Sequence, residues 1–97
     1  MNINVKLSER TCTLFIEGDV NTLIAPELDN AIEENAPQCE MMILDFKDVK
    51  YISSAGIRAV LRARQLKGSD RLTLKNLSKN VSDIFKITGF TKILNIE

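Results

Sequence analysis

Two adjacent hydroxyls precede a helical pattern in Tyr51-Ile52-Ser53-Ser54-Ala55-Gly56, and this run has the residue types most suited to chemistry. The first turn of a helix leaves several backbone N–H groups without intrahelical partners. Those donors and the helix dipole favour an anion at that point. A phosphate on Ser54 would therefore fit without unfolding the helix. It would add roughly two negative charges at neutral pH, and an interface that left them unpaired would be strongly disfavoured. The same residues also suit a purely structural role, in which Ser53 or Ser54 caps the helix and Ala55-Gly56 lets the loop pack closely. Spacing alone does not separate the two.

Other side chains narrow the chemistry further. The chain has no histidine, which removes His-dependent general-base schemes and His-containing zinc sites. Cys12 lies in an apolar-alternating segment and reads as a small buried hydrophobe, while Cys39 follows Pro37 in a loop with no base beside it. Neither is assigned a catalytic role. Asp45 and Asp48 flank Phe46-Lys47 without a third ligand or an acid–base partner, and are read as structural. The glycines at 18, 56, 68 and 89 form no phosphate-cradling loop. No catalytic residue, metal or cofactor is expected. Arg58 and Arg62, four apart after Ser54, share an exposed helix face and are candidate partner contacts.

The elements that must position these residues follow from composition and periodicity. At 97 residues, 44% hydrophobic and 27% charged, the chain reads as one globular domain spanning 1–97. Thirteen basic and thirteen acidic side chains cancel, so no net field draws the chain to nucleic acid or anionic lipid. The apolar stretches are short and interrupted, and the opening residues lack a signal-peptide run. A cytoplasmic protein without membrane insertion is expected.

Ile3, Val5 and Leu7, then Cys12 to Ile16, alternate as two strands of a hairpin around Ser8-Glu9-Arg10. After Gly18-Asp19, Asn21 or Thr22 can cap a helix that admits Pro26 and presents Leu28, Ala31 and Ile32, ending at Asn35-Ala36-Pro37. Met41 to Leu44 is a continuous apolar run, expected of a central strand covered on both faces. Asp45 to Lys50 reads as a charged connection. Ile57, Val60 and Leu61, flanked by Ala63 and Leu66, form a helical stripe ending at Gly68. Leu72 and Leu74 mark another strand. Ser78 or Asn80 opens a third helix with Val81, Ile84 and Phe85 inward, Gly89 closes it, and Ile93 to Ile96 is a last short strand. The order β-β-α-β-α-β-α-β predicts an α/β fold: a two-layer sandwich with a mixed β-sheet and helices packed on it.

Leu44-Asp45-Phe46-Lys47-Asp48-Val49-Lys50-Tyr51-Ile52-Ser53-Ser54-Ala55-Gly56-Ile57 resembles the signature of STAS domains, in particular the bacterial anti-sigma-factor antagonists. Upstream, Gly18-Asp19-Val20-Asn21 and Ala25-Pro26-Glu27-Leu28 are similar to the family's Gly-Glu-Leu-Asp and Thr-Ala-Pro-x-Leu stretch. The resemblance spans essentially the whole chain. It implies a STAS-like fold and a non-enzymatic switch, in which the unphosphorylated protein captures an anti-sigma factor that is also a serine kinase, and so releases sigma. Phosphorylation of Ser54, or as second choice Ser53, ends capture. A metal-dependent Ser/Thr phosphatase restores it. Ser53 stands where Asp is typical, Ala55 where a second hydroxyl is typical, and Asn21 where Asp is common. Asp19, Asn21, Ser53, Ser54, Gly56, Arg58 and Arg62 are the partner-binding residues this reading implies. The alternative is a scaffold subunit of a lipid-transport or stressosome-type assembly.

Overall fold

A computed structural model describes residues 2–97 of the protein. Strands β1 (Asn2–Ser8) and β2 (Thr11–Glu17) form a hairpin whose turn places Glu9 and Arg10 at φ 50° and 70°. Positive φ at both central positions matches the twist of the flanking strands. Helix α1 (Ala25–Asn35) and a short 3-10 turn (Ala36–Gln38) lead to β3 (Met41–Asp48). Helix α2 (Ser54–Lys67) leads to β4 (Leu72–Lys75), and helix α3 (Lys79–Ile87) follows.

The sheet order is β1-β2-β3-β4. β1 pairs antiparallel with β2, whereas β2–β3 and β3–β4 are parallel, with α1 and α2 as the connections that parallel pairing requires. One sheet face carries Cys12, Leu14 and Ile16 of β2, Met42, Leu44 and Phe46 of β3, and Leu72 and Leu74 of β4, all buried. They form one cluster with Leu28 and Ile32 of α1, Ile57, Val60 and Ala63 of α2, and Val81 and Phe85 of α3. Each fully buried aliphatic or aromatic side chain in this layer contributes about 1.5–3 kcal/mol. Ser78 caps α3, its Oγ accepting the Val81 N–H at 3.2 Å. Among the described residues, no helix is long and apolar enough to cross a membrane.

Four local expectations change. Met41 to Leu44 is central in the sheet, but its burial alternates: Met41 is exposed and Ile43 half-buried, because the helices cover one face only. The strand also continues through Asp48 where a loop was expected, since Phe46 faces the core and the ladder to β2 resumes at Glu17–Asp48 after an irregularity. Leu66 is exposed, and Ala59 fills the inner stripe of α2 instead. The last strand is reduced to a single parallel bridge between Leu74 and Ile96, with Leu74 N–H donating to Asn95 O and Glu97 N–H to Leu74 O, both at 2.9 Å.

Candidate functional site

At the carboxyl end of β3 the chain runs beside the loop that leaves β2. Gly18 N–H donates to Asp48 O at 3.1 Å, Val20 N–H to Tyr51 O at 2.9 Å, and Ser53 N–H to Val20 O at 2.8 Å. A parallel bridge between Val20 and Ile52 completes the pairing. The two loops therefore form one surface, and Ser54 opens α2 at its edge.

The two hydroxyls have different environments. Ser53 is the N-cap: its extended backbone (φ −83°, ψ 171°) turns Oγ back to accept the Gly56 N–H at 3.2 Å, and only 5% of the residue is exposed. Its carbonyl accepts the Ile57 N–H at 2.9 Å, so Ser53 is bonded at N–H, C=O and Oγ. Ser54 occupies the first helical position and is exposed. Gly56 is buried, and a Cβ there would stand 2.6 Å from Ile52 Cγ1 and 2.8 Å from Val20 Cγ1. Its missing side chain lets helix and loops meet.

Asp19 and Asn21 are exposed on the neighbouring loop. Asn21 does not cap α1 itself, whose N-cap is Ile24 without a side-chain bond. Instead Asn21 Oδ1 accepts the Ile24 N–H at 2.9 Å and its carbonyl accepts the Ala25 N–H at 2.9 Å, which fixes a turn ahead of the helix. Arg58 is exposed one turn after Ser54 on the same face of α2. Arg62 is bound to α1, with its guanidinium 3.1 Å from Asp29 Oδ2 and 3.3 Å from Glu33 Oε2. The structure thus brings Asp19, Asn21, Ser54 and Arg58 to accessible positions, and uses Ser53, Gly56 and Arg62 internally.

Sequence reasoning placed Thr22 and Pro26 only at the start of a helix and passed over Leu23. Leu23 is 85% exposed in the turn held by Asn21, and Thr22 and Pro26 line an open groove with Asp29, Ala55, Arg58 and Arg62. The signal was a leucine off the apolar face of α1. Asp45 is structural as read, its Oδ1 accepting the Lys47 N–H at 2.9 Å and its Oδ2 the Asn76 side-chain amide at 3.1 Å. Among the described residues no group of three or more His, Cys, Asp or Glu side chains could hold a metal ion.

A STAS domain family model matches residues 2–97. An anti-sigma-B factor antagonist of Bacillus subtilis (strain 168) is 30% identical over 98 residues, covering 99% of this chain and 90% of the relative. An anti-sigma factor antagonist from Mycobacterium paratuberculosis superposes with a TM-score of 0.89 at 15% identity, over 98% of this chain and 83% of that one. The anti-sigma factor antagonist SpoIIAA in its unphosphorylated form gives a TM-score of 0.81 at 18% identity, over 99% and 88%. The family model and the sequence identity agree, and the chain belongs to the STAS domain family.

Proposed function

We propose that the protein is an anti-sigma-factor antagonist, a binding protein rather than an enzyme, whose unphosphorylated form captures a cognate anti-sigma factor in the cytoplasm and whose capture ends when Ser54 is phosphorylated. The observation that carries this reading is the division of labour at the head of α2. Ser53 is buried and committed to its cap, whereas the Ser54 hydroxyl is exposed on the surface that the two loops share. The name of the Bacillus subtilis relative supports it.

The chemistry follows from position. A kinase can reach Ser54 Oγ while the cap at Ser53 holds the helix end in place. The added phosphate lies beside first-turn amides that lack intrahelical acceptors, so the helix tolerates it. The surface does not, because roughly two new negative charges would have to be desolvated in any tight contact. Asp19, Asn21 and Arg58 border Ser54 as partner contacts, while Ser53 and Gly56 act through the shape they give the surface. A metal-dependent Ser/Thr phosphatase resets the switch.

Incubation with the cognate anti-sigma kinase and ATP, followed by peptide mass spectrometry, tests the reading. The expected result is one phosphate on the peptide containing Ser54, lost in Ser54→Ala, and phosphoprotein that no longer co-elutes with the kinase. Phosphate elsewhere, or Ser54→Ala behaving as wild type, overturns it.

A further inference from the structure

At the end of the molecule where α1 stops, two thiols distant in sequence converge on one atom. Cys12 Sγ at the start of β2 lies 3.8 Å from the Asn35 carbonyl oxygen, and Cys39 Sγ, just before β3, lies 3.4 Å from the same oxygen. Cys39 Sγ is also 3.9 Å from Ala36 O. Lys67, the last residue of α2, donates to Ala36 O at 2.9 Å and to the Cys39 carbonyl. The thiols and the ammonium thus serve the carbonyls that the end of α1 leaves without intrahelical donors. Cys39 is 8% exposed and Cys12 1%, so an oxidant reaches Cys39 first.

We propose that Cys12 and Cys39 form an oxidation site that a peroxide closes into an intramolecular disulfide. The Cys39 thiolate attacks the peroxide O–O bond, giving a sulfenic acid and water or an alcohol. Cys12 sulfur then attacks the sulfenic sulfur, the S–O bond breaks, and a second molecule of water leaves with the thiol protons. Two thiols lose two electrons, and the peroxide gains them. The carbonyl of Asn35 already holds both sulfurs on one side of α1, so the bond forms by local movement at the segment leading into β3. It closes a long loop, the case in which a cross-link restricts the unfolded chain most. Burial of Cys12 and the neighbouring Cys39 raise its pKa and make the second step slow at neutral pH, so the site responds to sustained oxidant.

The test uses the full chain and hydrogen peroxide at mildly alkaline pH, followed by unfolding, alkylation and mass spectrometry. The expected result is a mass loss of about 2 Da, no alkylatable thiol, and a crosslinked peptide joining Cys12 to Cys39 that a dithiol reductant separates. In Cys39→Ser, loss of the remaining Cys12 thiol should slow by about tenfold or more. In Cys12→Ser, Cys39 should stop at a sulfenic acid that dimedone traps. Two alkylatable thiols after oxidation, or Cys39 oxidised while Cys12 stays free in the wild type, would overturn the proposal.

Discussion

Gly56 packs so closely beneath Val20 that a Cβ would approach Val20 Cγ1 to 2.8 Å, which makes residue 56 the point where α2 is pressed against the loop from β2. Gly56→Ala adds the missing carbon against Val20 and Ile52, both buried, so neither can move away freely. The helix gains up to about 1 kcal/mol from alanine, but overpacking costs about 1–3 kcal/mol. The expected result is a lower urea midpoint with an unchanged m-value, and weaker capture of the anti-sigma factor as the loop is displaced. An unchanged midpoint would show that the loop yields.

The serines should separate by substitution. Ser53→Ala removes the cap on Gly56 N–H and should cost about 1 kcal/mol while leaving a phosphate acceptor in place. Ser54→Ala alters an exposed first-turn position and should change stability by less than about 0.5 kcal/mol, yet abolish labelling. Chemical denaturation and phosphate incorporation, measured on both variants, check the pair. Equal losses of stability would remove the distinction between them.

The same contrast shows what was legible in advance. The helix entry at Ser53-Ser54 followed from an apolar stripe starting at Ile57, and its anion preference from first-turn amides. Which serine caps did not, because both fit the sequence pattern and only the backbone turn at Ser53 decides. Alternation gave the hairpin, and helical stripes with their caps gave the three helices, while the expected last strand is only a bridge. Alternation misjudged Asp45 to Asp48, since a strand end paired to β2 tolerates charge on its open face. The convergence of Cys12 and Cys39 was hidden, as residues far apart in sequence meet only through parallel pairing of β2 with β3.

The arginines of α2 should also differ. Arg62→Ala breaks contacts to Asp29 and Glu33 and should cost up to about 1 kcal/mol at low ionic strength, less in salt. Arg58 makes no ion pair among the described residues, and Arg58→Ala should leave stability within about 0.5 kcal/mol. If Arg58 borders the partner surface, its loss lowers affinity, whereas Arg62→Ala acts mainly on folding. Calorimetric titration with the anti-sigma factor at two salt concentrations, beside urea curves, checks this. Equal affinity of Arg58→Ala and wild type would remove Arg58 from the interface.

Cys12 should make stability depend on alkaline pH. Burial, then the neighbouring Cys39, push its thiol from an ordinary 9.0 up to about 11, against the opposing ammonium of Lys67. Between those values the unfolded chain releases the proton and the folded chain keeps it, so deprotonation favours unfolding. The contribution is fully present below about pH 9 and falls as pH rises towards about 11, by at most about 1.4 kcal/mol per pH unit. Cys12→Ala costs a buried sulfur at every pH but lacks this titration. Under a reductant, the stability difference between wild type and Cys12→Ala should therefore shrink across that window, with lysine and tyrosine titrations cancelling between them. A difference constant from pH 8 to 11 would mean that the thiol ionises alike in both states, and that its burial carries no penalty for charge.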